Sequence, residues 1–514
     1  MTKFNRRIFV LGSVAAAGTL ALGGGGQARA ALAYPFKLGV ASGDPLPDGV
    51  VLWTRLAPTP LDPDRPGGMP TNQNFTVDWE VATDERFTNV VQRGSEVAVP
   101  GAAHSVHAEV HGLRPDYEYF YRFKTEGHLS PVGRTRTAPA LDVLGRDLLL
   151  AFTSCAAFED GFYNVYQRMA EDRPGLILHL GDYIYEGGPG ADALPGRKHS
   201  GTREIVNLAE YRLRYAQYKA DADLQAAHAV APWLVVPDDH EVENNYAAWK
   251  RDNNKPELTE QQWKDRRAHA YQAYYENMPL RGGAKPNGGN IQLYRRIRWG
   301  RLATFHLLDT RQYRDDQACG DGWKYCPEAG DPARSLPGTA QENWLLDGLG
   351  QRNGTWDILG QQVFFARRVD GNDASGMDGW DGYPASRDRI QKGWVQRGVR
   401  NPVVLTGDVH RAWANELKVD FTNPASPVVG TELVTSSVAS GGDRDISDIP
   451  IPDAAYNPHL KFYSRRRGYV RANLSQTRMD VDFRTVSTVT SKTHTVSTQR
   501  SFVIEEGRPG LRNP

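Results

Sequence analysis

Four short apolar runs end in the same way, and that recurrence limits the folds open to this chain. They read LLLAFTSC (Leu148 to Cys155), LILHLGDYIYE (Leu176 to Glu186), WLVVPDDHE (Trp233 to Glu241) and VVLTGDVHRAW (Val403 to Trp413). Each reads as a buried strand that stops abruptly, by Gly181 in the second and Gly407 in the fourth, and hands polar residues to a loop. Helical spacing follows in Phe162 to Glu171 and again from about Leu208 to Ala229. Strands alternating with helices imply parallel βαβ units and an α/β fold. Functional residues in such sheets collect beyond the carboxyl ends of the strands.

Those ends carry a chemically coherent set. Cys155 offers a thiolate, Asp182 and Tyr185 a carboxylate and a phenolate, Asp239 a carboxylate beside His240, and Asp408 and His410 a carboxylate and an imidazole. Carboxylates suit hard cations such as calcium, whereas thiolate, phenolate and imidazole favour a transition metal, phenolate especially iron(III). Asp408 and His410, two apart, face one site if their backbone is extended. The plainer reading is that Asp182 caps the next element and its tyrosines rim a core. Ser154 lacks the G-x-S-x-G context of a strained nucleophile.

Three cysteines occur. Cys319 and Cys326 enclose the short loop CGDGWKYC, for which a disulfide is the economical reading in an exported protein. Cys155 is left over, and metal ligation would explain an otherwise hazardous free thiol.

Export itself is read from the first thirty residues, which carry Lys3, Arg6, Arg7 and Arg29 and no acid. Paired arginines precede an apolar run from Leu11 to Leu22, and Ala28-Arg29-Ala30 supplies small residues for cleavage. This resembles the twin-arginine signal of bacteria, making the export machinery an expected partner and the periplasm, cell wall or medium the destination. Formal charge balances, with 61 basic and 61 acidic residues. No basic excess remains for sequence-specific nucleic-acid binding, and no later stretch is apolar enough for a stable membrane span.

From Phe36 to about 140 the chain is β in character. VVLWTRL, FTVDWEVAT and YEYFYRFKT are separated by turn residues at the spacing of a small sandwich. The HGLRPDYEYFYRF run resembles an immunoglobulin or fibronectin-type corner. Asp370 to Arg389 reads as a long loop over the site, and Gly468 to Glu505 as closing strands.

The ordered blocks GD-x-x-Y, DDHE and GDVH, with a cysteine first, resemble the PhoD family of alkaline phosphatases, a variant of the metallophosphoesterase superfamily. GVASGDPLPDGVVLWTRL, LDTRQYR, DGWDGYPASRDR and ELVTSSVASGG extend the likeness. It implies a calcineurin-like metallophosphoesterase β-sandwich flanked by helices, preceded by an immunoglobulin/fibronectin-like β domain. The expected division is a signal over 1–30, the β domain over 36–140 and the catalytic domain over 147–505. The resemblance further implies one iron(III) on Cys155, Asp182, Tyr185 and His410. Asp182 would bridge to calcium, with Asp239 and Asp408 as further ligands. A second calcium would draw on Asp238, Glu241 or Asn245. His240, with Asp182, would be catalytic, and Arg311, Arg314, Arg387 and Arg411 are candidate phosphate contacts. The implied activity is metal-dependent hydrolysis of phosphate mono- and diesters, the substrate being a small molecule, a lipid or a phosphate polymer. Two alternatives stand beside it: a phospholipase D-type diesterase on choline lipids, and a non-catalytic secreted calcium-binding or adhesion protein.

Overall fold

The computed structural model describes residues 32–65, 67–251 and 258–514, so the export signal expected over 1–30 lies outside the described residues. Two large sheets form its centre. One has ten strands and carries Leu148–Thr153, Leu176–Leu180 and Pro232–Val236 side by side and parallel. The other has seven and carries Ala303–Leu307, Trp356–Gly360, Pro402–Thr406 and Val428–Val434 in parallel.

Side chains of the central strands alternate between two cores, as the pleat requires. Leu176, Leu178, Leu180, Leu234 and Val236 meet Phe305, Leu307, Ile358, Val403 and Leu405 from the seven-stranded sheet. Ile177, Trp233 and Val235 point the other way, onto helices Asn164–Glu171, Leu208–Lys219, Ala222–Val230 and Glu260–Asn277. Helices Thr339–Leu349 and Pro384–Arg397 cover the far face of the seven-stranded sheet. The result is four layers, helix–sheet–sheet–helix. Both faces of the central strands are buried, which is why these runs are apolar throughout rather than alternating.

The amino-terminal region is β-rich. Strands Phe75–Ala82, Val90–Ala98, Glu118–Thr125, His128–Leu129 and Gly133–Arg136 form a five-stranded sheet. It packs through Val77, Val81, Tyr121 and Phe123 onto Val50, Leu52, Val106 and Val110. That second layer is continuous with the ten-stranded sheet, because Val40–Leu46 pairs in parallel with Pro232–Val236. The closing strands Gly468–Leu474, Arg478–Val486 and Val496–Glu505 extend the opposite edge, with Val470 opposite Phe152.

Two expectations need correction. The helical stretch from Leu208 to Ala229 is two helices, because Asp221 accepts hydrogen bonds from the backbone N–H groups of Asp223 and Leu224 and starts a new helix. The Asp370 to Arg389 segment is irregular only in part. It holds a two-residue strand, Ser375–Gly376, and from Pro384 it is the helix Pro384–Arg397, with proline in the first turn where its missing N–H is harmless.

Candidate metal centre

The loops leaving the central strands converge because two glycines let their backbones touch. A Cβ on Gly181 would lie 2.3 Å from Asp238 Cβ, and Gly181 has φ of +100°. A Cβ on Gly407 would lie 2.8 Å from the Leu180 carbonyl oxygen and from Ser154. Cys155, Asp182, Asp408 and His410 themselves sit at positive φ (61°, 55°, 63° and 54°). Asp408 and His410 are therefore not on extended backbone as expected; a left-handed turn aims them at neighbouring parts of one site. Non-glycine residues held at such angles cost about 1–3 kcal/mol each and collect where function demands them.

Three overlapping groups of donors result, each with its ligand atoms within 4.8 Å of one another: Cys155, Asp182 and His410; Asp182, Asp239 and His240; Asp238, Asp239 and Asp408. Asp182 joins the first two and Asp239 the last two. The Tyr185 hydroxyl lies 3.0 Å from Asp182 Oδ2 and 3.0 Å from His410 Nε2, and accepts from Ser440 Oγ at 2.8 Å. All seven residues singled out on sequence thus meet in one place. Cys319 and Cys326 are joined by the expected disulfide, 6.1 Å between Cα atoms.

The donor set fits cations. Asp182 Oδ1 and Asp238 Oδ2 are buried with no hydrogen-bond partner, and Asp239 Oδ1 has only the Arg311 guanidinium at 3.3 Å, a costly condition for carboxylate oxygens unless a further ion meets them. Burial, then mutual repulsion, drives Asp182 well above the carboxylate range; burial and Asp378 push Asp408 up to about 7. Burial and the charge on Asp182 likewise raise the Cys155 thiol, while burial and Arg467 lower His410 to about 3. Bound cations would reverse the strain on the anionic groups. One end, with sulfur, phenol and imidazole, suits a transition metal; the other, all oxygen, suits a hard ion.

Arg311 is the internal counter-ion. Its side chain is 1% exposed and bonds Asp238 and, at 2.8 Å, Asp378, with Nη2 3.3 Å from Asp239 and 3.7 Å from Asp408. The other three candidate arginines have partners of their own, Arg314 sharing Asp378 with Arg311. Arg314 bonds Asp378 and Tyr383, Arg387 bonds Asp381 and the Phe365 carbonyl, and Arg411 bonds the His410 carbonyl.

Sequence reasoning gave Glu186 no role, and it named Glu241 and Asn245 only as candidate calcium ligands. Glu186 Oε2 accepts a hydrogen bond from His240 Nδ1 at 2.6 Å, and the Tyr185 ring lies 4.2 Å from the His240 ring. Burial opposes charge on His240, but Glu186 and Asp239 hold it well above its ordinary value. Glu241 accepts from the backbone N–H groups of Tyr183 (2.6 Å), Asp238 (2.8 Å) and Asp182 (3.2 Å), so its oxygens face the chain. Asn245 donates its backbone N–H to Asp239 and its amide to Asp321. Ser154 is buried, with Oγ 3.0 Å from Cys155 Sγ. The position of Glu186, directly after the DYIY run, was the one available signal.

The PhoD-like phosphatase family model matches residues 150–483, from the first central strand past His410, and the PhoD-like N-terminal domain model matches residues 23–139. The chain belongs to the PhoD-like phosphatase family. It is 47% identical over 532 aligned residues to alkaline phosphatase D of Bacillus subtilis (strain 168), covering 99% of this chain and 89% of that protein. A solved structure of PhoD superposes with a TM-score of 0.88 at 46% identity, covering 93% of this chain and 92% of the other. Purple acid phosphatase PPD1 from yellow lupin seeds shares the fold, with a TM-score of 0.56 at 13% identity, over 93% of this chain and 75% of the other. As a PhoD-like phosphatase the protein is an enzyme, a metal-dependent hydrolase of phosphate esters, and the non-catalytic alternative falls away.

Proposed function

We propose that this phosphatase hydrolyses both mono- and diesters after export, using iron(III) held by Cys155, Asp182, Tyr185 and His410 and calcium held by Asp182, Asp239 and Asp408. The observation that carries the reading is the chain of three donor groups joined through Asp182 and Asp239, with buried carboxylate oxygens on Asp182 and Asp238 that have no hydrogen-bond donor. Bound ions supply Lewis acidity, acidifying the attacking water and offsetting charge on the phosphoryl oxygens.

The chain's own groups do the rest. His240 is oriented by Glu186 through Nδ1 and packed by the Tyr185 ring, which leaves Nε2 for the substrate. It gives its proton to the leaving oxygen as the phosphorus–oxygen bond breaks, a contribution of roughly 10²–10⁴ in rate. Arg311 stays with its carboxylates and sets the charge balance of the site. Iron is favoured over a purely calcium centre because a thiol, a phenol and an imidazole meet on one side.

Export rests on the paired arginines Arg6 and Arg7 before an apolar run and is tested by cell fractionation after Arg6→Lys, Arg7→Lys exchange. Among the described residues no helix is long and apolar enough to cross a membrane. Activity is tested on natively purified, calcium-supplemented protein at alkaline pH with p-nitrophenyl phosphate, bis-p-nitrophenyl phosphate and phosphatidylcholine. Turnover of the first two supports the reading. Turnover of phosphatidylcholine alone would move the protein to the phospholipase D alternative, and inactivity on all three with metals bound contradicts both.

A further inference from the structure

Trp323, Phe364, Met377 and Val409 line a cavity of about 320 Å³ that the chemistry above does not use. Asp378 and Asp408 are also on its wall, so the cavity and the metal centre share a border: Asp378 bonds Arg311, and Asp408 belongs to the third donor group. His240 is not on that wall.

The aromatic side of the cavity is fixed in advance. Trp323 pairs in register with Gly376, and the indole packs over that glycine, where even a Cβ would make an ordinary contact with the ring at 3.5 Å. Its Nε1 donates to Asp370 at 3.3 Å, and the Arg368 guanidinium lies 4.8 Å from the ring centroid. The Cys319–Cys326 disulfide closes the loop that carries it. Trp323 nevertheless keeps 43% of its surface exposed, an unusual state for a ring so thoroughly held. A preordered aromatic wall beside a reaction centre lowers the cost of binding a flat apolar group.

Resting on the phosphoesterase reading, we propose that this cavity is the subsite for the substituent that stays on phosphorus in a diester, and that it selects a planar apolar one. Hydrolysis forms one bond from water oxygen to phosphorus and breaks the bond to the leaving oxygen, which takes the His240 proton; the proton lost by the attacking water passes to solvent, and His240 is reprotonated from there. The leaving group therefore departs on the His240 side, and the retained substituent occupies the cavity. Monoesters have no such substituent and leave the cavity unused.

The test compares phenyl p-nitrophenyl phosphate with methyl p-nitrophenyl phosphate on the holoenzyme. Both release p-nitrophenolate, so only the retained group differs. Wild type is expected to favour the phenyl diester by tenfold or more in kcat/KM, mainly through KM. Trp323→Ala should reduce that ratio about tenfold, the scale of one apolar pocket contact. The double variant Cys319→Ser, Cys326→Ser should lower it in the same direction. A wild type that treats the diesters alike, or a ratio unchanged in both variants while turnover persists, overturns the subsite. Wild type inactive on these diesters and on p-nitrophenyl phosphate removes the phosphoesterase reading, and the subsite with it.

Discussion

Glu241 Oε1 accepts the backbone N–H of Tyr183 at 2.6 Å, while its other oxygen accepts from Asp238 and Asp182. One buried carboxylate thereby ties the loop bearing Asp182 and Tyr185 to the loop bearing Asp239 and His240. The two halves of the metal centre are thus fixed by the protein itself. Glu241→Ala would leave three buried N–H donors without partners and is expected to lower stability by about 3–5 kcal/mol. Chemical denaturation of the chelated protein checks this. A loss under 1 kcal/mol would mean the loops hold each other by other contacts.

Tyr185 and Cys155 make the iron assignment visible. Phenolate or thiolate bound to iron(III) absorbs visible light, which calcium alone does not. Tyr185→Phe should weaken and shift the band, and Cys155→Ser should shift it in its own way while folding is retained. Absorption spectra with metal analysis decide it. A colourless wild type containing only calcium contradicts the assignment.

Arg311 predicts a dependence on cations. Arg311→Met removes the guanidinium from among Asp238, Asp239, Asp378 and Asp408 and leaves buried carboxylates uncompensated. The chelated variant should lose about 3–5 kcal/mol relative to chelated wild type. Added calcium should recover part of the loss, because cations can take over the neutralisation. Melting curves with chelator and with calcium measure both effects. Equal losses in the two conditions would speak against a shared charge balance.

His179 gives a pH dependence outside the ligand set. It is 1% exposed, with Nε2 2.8 Å from the Tyr166 hydroxyl, and burial lowers it to about 3. The unfolded chain, with histidine near 6.5, then binds more protons between those values than the folded one. Its contribution is fully present above about 6.5 and falls as pH drops toward 3. His179→Phe should remove this part of the slope, so the melting-temperature difference between wild type and variant should narrow, or change sign, from pH 7.5 to pH 4. A difference independent of pH would place the acid sensitivity elsewhere.

The strand ends were legible because an apolar run followed by polar donors is a local pattern, and Cys155, Asp182, Asp239 and Asp408 needed only that pattern to be placed. The left-handed backbone at Cys155, Asp182, Asp408 and His410 was not legible. None is glycine, and although aspartate and histidine tolerate such angles better than most residues, that preference is too weak to mark a position without the loops that pack around it. The insertion of Gly468–Leu474 beside Leu148–Thr153 joins segments some three hundred residues apart, a pairing that local periodicity does not record. The break at Asp221 could have been read from its capping chemistry, but the apolar spacing on both sides concealed it. Glu241 sat in plain view within DDHE; its oxygens turn to the backbone, which composition alone does not distinguish from a ligand.

Asp182 stands at the junction of two donor groups, so its removal tests the account most directly. The measurement is bound iron and calcium per chain together with kcat on p-nitrophenyl phosphate and bis-p-nitrophenyl phosphate, for wild type and Asp182→Ala. The account predicts that the variant stays folded, loses metal and falls at least a hundredfold in rate on both substrates. A folded variant that keeps its metals and works at the wild-type rate would contradict it.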